Sequence, residues 1–539
     1  MEDQSQTNQV LSKNAEEKQK ILEAFANIVD NAFGDLNLKD LGGKKFSEEF
    51  QFDGIPVWWF YRRLITSHVL PKQFNTASLV KRSKIHVLEK GYYQILKVAL
   101  QKYFHYNESI KLKITRKESV SSVNTENNRL KKVLFLSYTN HVNKKTGDIY
   151  RINSVLNLLK QEKKVEPFTL FVDPISSHAY RSHRQLKYLK DTLYQYIGTE
   201  EHLKAGQLSK ELYQKWCSLQ KEKLFGEKWE TLQYTLNFFF SQEFIYNTIL
   251  YYLASKRVLQ EQSVQCIVIT ATTGYFERSM IAAAAKLDVP LVIIQHGEGL
   301  ATSNPELFSG MKVAIGVFGE KFAKRLTQWG IDRKDIELLG PVAFEEIHSF
   351  IQQKQKKNNK ILFITTSLIE GNRISKEEYF KKIKNIVHQL SSLQKEIVIK
   401  LHPAERHIDE YLRIIKEEKL RNITVTQERG SAVLYNLINK SDLVVNLYST
   451  VALQAMILGK PIISLDITVP SIVPNVDDGI WNGGIQITMD DDISKAAAEA
   501  LRDPPLWKKK REEMVELYCY KIDGKENERL RDLIYKMAG

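Results

Sequence analysis

Cysteine is nearly absent. Cys217, Cys266 and Cys519 are the only three in 539 residues; they are odd in number, far apart and outside any metal-ligand spacing. That excludes a disulfide framework or a thiolate zinc site and points to packing roles in a reducing compartment. No uninterrupted apolar run approaches the roughly 18 residues that a spanning helix needs. The opening MEDQSQTNQVLSKNAEEKQK is polar and mixed in charge, so no secretory signal and a cytoplasmic location are the expectation. A glycine-rich GxGxxG after a strand, a P-loop, HExxH, CxxC and GxSxG are all missing. Asp490-Asp491-Asp492 falls at a helix start, where Asp serves as a cap. No metal site is therefore expected.

What is present suits a large soluble protein. An apolar fraction of 43% with 26% charged residues allows sizeable cores, and the length suits two or three domains. The formal charge of +14 is concentrated, with thirteen Lys/Arg against four Glu between Lys81 and Lys132. Such a surplus suits an anionic partner or a solvated basic face. Upstream lies FDGIPVWWFYRRLITSHVL, Phe52–Leu70, with four consecutive aromatics beside Arg62 and Arg63. Aromatics next to Arg can dock at a membrane interface or stack on sugars, and they can equally form a core helix. Residues 52–132 are thus the candidate contact with an anionic membrane surface; no nucleic acid partner is expected.

Along the chain, residues 1–130 read as a mainly helical, basic region ending in the linker Ser119–Asn128. From Lys131 short apolar runs alternate with polar loops and helical patterns. The first alternation, residues 131–345, predicts strands at Lys131 onward, Pro167–Val172, Cys266–Thr270, Leu291–Gln295, Val313–Phe318 and Ile336–Leu339, with a helix at about Ile149–Leu159 and a helical insertion over about 183–259. After the polar run Phe350–Lys360 the second alternation, residues 358–505, predicts strands Ile361–Thr365, Ile397–Leu401, Ile423–Val425, Leu443–Leu447 and Ile462–Asp466. Strands separated by helices mean parallel sheets with right-handed crossovers. The fold class is α/β, two Rossmann-like domains facing across a cleft, with two amphipathic helices closing the chain over 506–539.

Ligands of open parallel sheets sit beyond the carboxyl ends of the strands. Four such loops carry chemistry. The first, Asn140–Asp148, contains Asp148. The loop after Gln295, QHGEG, offers His296 and Glu298 as groups able to move protons. The loop after Leu401 follows KLHP: Pro403 ends the strand and aims His402, whose imidazole can donate to a phosphate oxygen, with Lys400 nearby. The loop after Leu447 reads Tyr448-Ser449-Thr450 and starts a helix through Gln454. Free N–H groups and two hydroxyls at such a start make a phosphate site, although Ser and Thr are also favoured there as simple caps.

The ordered set QHG (Gln295–Gly297), KLHP (Lys400–Pro403), SDLVVNLYSTVALQAMILGKP and DGKENERLRDLI (Asp523–Ile534) resembles the two-domain GT-B glycosyltransferases of bacterial surface and capsular polysaccharide synthesis. The likeness is to the His-Pro-motif sialyl- and Kdo-transferases and to the CDP-glycerol glycerophosphotransferases, and it covers Lys131–Gly539. It implies a nucleotide-sugar donor held by the second half, an acceptor glycan or lipid-linked glycan held by the first, and no further cofactor. It carries donor binding onto Lys400, His402, Tyr448, Ser449, Thr450 and Gln454, and the base onto Glu298, His296 or Asp148. Gln454 stands where many relatives have Glu, and the acidic Asp/Glu-Asp-Gly motif of several sialyltransferases is absent. An acidic sugar carried by CMP is the expected donor. A polyol-phosphate transferase, an isomerase resembling the UDP-N-acetylglucosamine 2-epimerases, and a glycan-binding protein without turnover are the alternatives.

Overall fold

A computed structural model describes residues 50–61, 130–138, 141–142, 147–149, 151–172, 192–225, 229–272, 274–295, 297, 307–308, 310–353, 357–370, 374–447, 449–467, 480–488 and 491–539. They contain a two-residue-stranded hairpin and two six-stranded sheets. The hairpin is β1 (Gln51–Phe52) and β2 (Ile55–Pro56). The first sheet is built from β3 (Lys131–Ser137), β4 (Val165–Phe171), β5 (Val264–Ile269), β6 (Leu291–Ile294), β7 (Val313–Val317) and β8 (Ile336–Leu338), in the order β4-β3-β5-β6-β7-β8. The second contains β9 (Lys360–Ile364), β10 (Glu396–Lys400), β11 (Ile423–Thr426), β12 (Leu443–Asn446), β13 (Ile462–Asp466) and β14 (Ile485–Thr488), in the order β11-β10-β9-β12-β13-β14.

Every pairing resolved in register within these two sheets is parallel. The strands are continuous runs of Val, Ile, Leu and Phe, buried along their length as a sheet covered on both faces requires. The covering helices carry the complementary stripe. In Lys376–Ser391, Tyr379, Ile383, Ile386, Val387 and Leu390 recur at helical spacing and join the core of the second sheet, while Ser375 caps the start by accepting the Glu378 N–H at 3.1 Å. Asp492 does the same for Ile493–Arg502, accepting the Ser494 and Lys495 N–H groups, as its place at a helix start predicted. The fold is thus of the GT-B type, with two parallel-sheet Rossmann-like units. No helix among the described residues is long and apolar enough to cross a membrane.

The first unit includes the insertion helices Thr199–Ser218 and Gln242–Glu261 and the chain's closing residues Glu528–Gly539. Arg531 pairs with Glu162 at 2.6 Å and Tyr535 donates to the same carboxylate, fastening the closing helix Glu526–Ala538 to the helix Asn153–Glu162. The second unit comprises Val317–Arg333 and Leu338–Asn527; within it Phe322 and Phe344 both pack on Phe318, and Phe322 packs on Tyr518.

One local reading is corrected, and the core-helix reading of the aromatic run is borne out with a turn added before it. The helix expected from Ile149 begins only at Asn153, because Arg151 sits at φ 77°, a conformation that cannot continue a helix, and Ile149 instead bridges Val142. The aromatic run opens with a hairpin: Asp53 (φ 51°) and Gly54 (φ 72°) form the two-residue turn that Asp-Gly favours. Its side chains are core of the first unit. Trp58, Phe60 and Tyr61 are buried, Tyr61 bonds Thr248 at 2.7 Å, Phe52 stacks on Phe60, and Asp53 accepts from Lys256 and Tyr252. The remainder of 52–132, from residue 62 to 129, lies outside the described residues.

Candidate functional site

In the second sheet the chain lays β10 and β11 on one side of β9, then reverses and lays β12, β13 and β14 on the other. The reversal between β9 and β12 is the topological switch point, where the flanking loops diverge and leave room for a ligand. Three loops meet it: Thr365 onward after β9, Leu401–Arg406 after β10, and Leu447–Thr450 after β12. The β10 and β12 loops flank one intervening strand and so stand about 10 Å apart, a span that a nucleotide phosphate with its sugar can bridge.

The β10 loop is fixed by one buried carboxylate. Glu405 is 6% exposed, and it accepts from the His402 backbone N–H at 2.7 Å, from Tyr411 at 2.8 Å, from Tyr379 at 3.2 Å and from the Thr365 hydroxyl. Burial raises its pKa in spite of those donors. Glu370, in the β9 loop, adds a second tether by accepting the Arg406 N–H at 2.9 Å. His402 is thereby held from both sides. Its Nδ1 accepts the Ala404 N–H at 3.1 Å, and burial, then the charge of Lys400, push its pKa below 6.5. A neutral imidazole whose Nδ1 is an acceptor carries its proton on Nε2. His402 is therefore an Nε2–H donor with a set orientation.

Lys400 is only 6% exposed, and its ammonium donates to the Leu401 carbonyl at 2.9 Å. Burial lowers its pKa, which Glu405 partly offsets. The bond to Leu401 braces the loop beneath His402 and uses one of the three ammonium donors.

The β12 loop is pinned by Asn446. Its amide donates to the Ile463 carbonyl at 3.0 Å and to the Ser464 hydroxyl, while its oxygen accepts the Ser449 N–H at 3.1 Å. The helix Val451–Ile457 that follows differs from the expected bare start. The Val451 N–H reaches the Ser449 hydroxyl at 3.4 Å, and the Ala452 and Leu453 N–H groups bond the Ser449 and Thr450 carbonyls at 2.9 and 3.1 Å. Tight i→i+3 bonding in the first turn has taken up donors that were expected to be free. Thr450 stands at the cap position without a side-chain cap bond, half-buried. Gln454, 6% exposed, has an Oε1 with no hydrogen-bond partner among the described residues.

The structure therefore places His402, Ser449 and Thr450 on loops around one switch point, with Lys400 at the end of β10 and Gln454 in the helix after Thr450. Tyr448, His296 and Glu298 lie outside the described residues. Gln295, just before the last two, is buried and closes the turn by donating to the Gly297 carbonyl at 3.0 Å. Asp148 is exposed, next to the Val142–Ile149 bridge. Sequence reasoning missed Glu405, Asn446 and Glu370. Each acts by holding a loop, and nothing but an ordinary acidic or amide residue near a strand end marks it in the chain.

Residues 257–462 match the family model described as "Alpha-2,8-polysialyltransferase (POLYST)". The match takes in the QHG and KLHP motifs, Ser449-Thr450 and Gln454, and spans less than half of the chain. Among solved structures the chain is similar to the UDP-GlcNAc 2-epimerase from Neisseria meningitidis bound to UDP-GlcNAc, at 12% identity over 76% of this chain and 100% of that one, with a TM-score of 0.47. It is also similar to the S. aureus MnaA–UDP complex, at 13% identity over 76% and 96% with a TM-score of 0.46. A glycosyltransferase from Rickettsia africae ESF-5 aligns at 10% identity over 76% and 100%, with a TM-score of 0.42. No curated protein matches.

Proposed function

We propose that this glycosyltransferase transfers a sialyl residue from a CMP-activated donor to a surface glycan, without a metal ion or further cofactor. The observation that carries the proposal is the state of His402. A neutral imidazole, fixed by Glu405 and the Ala404 N–H so that its Nε2–H is the donor, sits at the switch point opposite the hydroxyls of Ser449 and Thr450. The family-model match over the same residues supports sialyl transfer.

In the reaction the acceptor hydroxyl oxygen attacks the anomeric carbon, and the bond from that carbon to the CMP phosphate oxygen breaks with its electron pair leaving on the phosphate. His402 donates to that oxygen, and Ser449 and Thr450 bond its neighbours, so the developing charge meets donors already in place. Gln454 takes a nucleotide hydroxyl through its open oxygen. The acceptor's proton passes to Glu298 or His296 in the loop after β6, with Asp148 the weaker choice. The glycan acceptor belongs to the first unit, and association of the basic 52–132 stretch with an anionic membrane surface would bring a lipid-linked acceptor to it.

A thermal-shift screen against CMP, CDP, UDP and GDP, followed by a CMP-sialic acid hydrolysis and transfer assay on His402→Ala and Glu298→Ala, tests the reading. Midpoints that rise with CMP and a loss of turnover in both variants are expected. A preference for UDP, or wild-type turnover in both variants, overturns it.

A further inference from the structure

In the second sheet β11 is the edge strand, on the side of β10 that faces away from β9. Its loop, Gln427-Glu428-Arg429-Gly430, leaves the same end of the sheet as the His402-Pro403 turn, because the two strands run parallel. None of the residues singled out from the sequence belongs to this loop.

Three bonds fasten it to the His402 turn. The Leu401 N–H donates to the Thr426 carbonyl at 2.9 Å, the Gln427 amide to the Glu405 carbonyl at 2.6 Å, and the Arg429 guanidinium to the Pro403 carbonyl at 2.9 Å. Gly430 then turns the chain at φ 118°, a backbone that other residues avoid, and the helix Ser431–Asn439 begins. Arg429 is thus an exposed side chain with a set place beside His402. Its charge reaches into the site: after burial, it helps to lower the Lys400 pKa, against Glu405 and Glu428.

The tether takes one branch of the guanidinium fork and leaves the rest without a partner among the described residues. Arg257 and Arg413 show the ordinary arrangement, each forked between two carboxylates. Arg429 has none, since Glu428 is in no ion pair among the described residues and Glu405 is occupied by four donors. Holding a long cationic side chain in one place costs conformational entropy, and one exposed bond to a carbonyl returns little of it. The arrangement suits a planar oxyanion, which a guanidinium meets with parallel N–H bonds and a full charge. Formal charge is otherwise scarce around the switch point: His402 is neutral, Ser449, Thr450 and Gln454 are uncharged, and Lys400 is buried at the end of β10.

We propose that Arg429 binds the carboxylate of the donor sugar and so selects an acidic sugar over a neutral one. The inference rests on the sialyl-transfer reading above, in which the donor carries two anions, the phosphate and the carboxylate on the anomeric carbon. The phosphate is met by His402 and the β12 loop, and Arg429 stands on the opposite flank of His402.

Initial-rate kinetics with CMP-sialic acid, beside calorimetric titration with CMP, which has the phosphate and no carboxylate, test this. Arg429→Ala should raise the donor KM at least about 10-fold, with the acceptor KM within about 2-fold, the CMP Kd within about 3-fold and little change in the urea midpoint. Arg429→Lys, which keeps the charge and loses the fork, should fall between. Arg406→Ala is the control: it removes a cation from the same turn whose side chain makes no hydrogen bond among the described residues, and its donor KM should stay within about 2-fold of wild type. A wild-type donor KM in Arg429→Ala overturns the inference. An equal rise in Arg406→Ala does the same by showing a diffuse field, and a CMP Kd that rises as far as the donor KM does so by moving the contact to the phosphate. A wild-type protein that does not turn over CMP-sialic acid sinks the sialyl-transfer reading and this contact with it, whereas normal wild-type turnover beside an unchanged variant sinks the contact alone.

Discussion

Removing the Glu405 carboxylate is the sharpest test of how the candidate site is held. Four donors converge on it, from Thr365, Tyr379, Tyr411 and the His402 backbone. In Glu405→Ala not all of them would be stranded. Tyr379 and Tyr411 already bond each other at 2.9 Å, and the Thr365 hydroxyl can turn to the Lys400 carbonyl, 3.4 Å away. The His402 N–H keeps the Thr365 hydroxyl as an acceptor at 3.2 Å, so one tyrosine hydroxyl remains without a partner; at 1–3 kcal/mol for a buried group the loss is about 2 kcal/mol. Glu405→Gln keeps the shape and one acceptor oxygen and should cost about half as much. The pH dependence has a definite sign. Burial raises this pKa above 4.5 in the folded protein, so the folded state binds the proton more tightly. The group's contribution to stability is then full below the ordinary carboxylate range, falls as pH rises through the window up to the raised pKa, and is flat above it. Urea unfolding followed by circular dichroism, run from pH 4.5 to pH 8, reads both effects, and Glu405→Gln should flatten the slope. A cost below about 1 kcal/mol for Glu405→Ala, set against the 1–3 kcal/mol of a single stranded group, would show that the His402 turn is held by something else.

Three further outcomes are expected. His402→Ala should lower transfer at least 100-fold with little change in the urea midpoint. The imidazole's lowered pKa means that its contribution to stability is complete above pH 6.5 and is lost as pH falls from there toward the folded value; a wild-type activity profile with an acid limb at or above 6.5 would contradict the neutral-donor assignment. Asn446→Ala removes three hydrogen bonds behind Ser449 and should cost about 2 kcal/mol while raising the donor KM, measured by initial rates. Arg278, 1% exposed, stacks on Trp59 at 5.0 Å and donates to its carbonyl; Arg278→Ala should cost about 3 kcal/mol and expose the Phe50–Tyr61 segment to limited proteolysis, whereas unchanged cleavage would place the clamp elsewhere.

The strands were legible because a sheet buried on both faces demands uninterrupted Val, Ile and Leu. KILFI, EIVIK, LVVN and IISLD declare themselves, and Ile462–Asp466 agrees to the residue. Pro403 likewise announced where β10 stops. Arg151 did not announce the break before Asn153, because a left-handed backbone at a residue other than glycine follows from packing that no local pattern encodes. β14 escaped for a related reason: Ile485–Thr488 is short, half-exposed and recognisable as a strand only by its pairing with β13.

For the site the division is the same. His402, Ser449 and Thr450 stood out as candidates from the chain because reactive side chains at strand ends fall where a parallel sheet must present its ligand, whereas Gln454, inside the helix that follows, was singled out by the family resemblance. Which of their groups are available was decided in three dimensions. The first-turn N–H groups after Ser449 are consumed by i→i+3 bonds, one donor of the Lys400 ammonium is taken by Leu401, and the proton of His402 is assigned by the Ala404 N–H. Glu405 looks like any acidic residue in the sequence. Only burial among partners that the fold brings together, Thr365 and Tyr379 among them, turns Glu405 into the anchor of a loop, because the energy of a carboxylate is set by the solvent it loses and the donors it meets, and both depend on the fold.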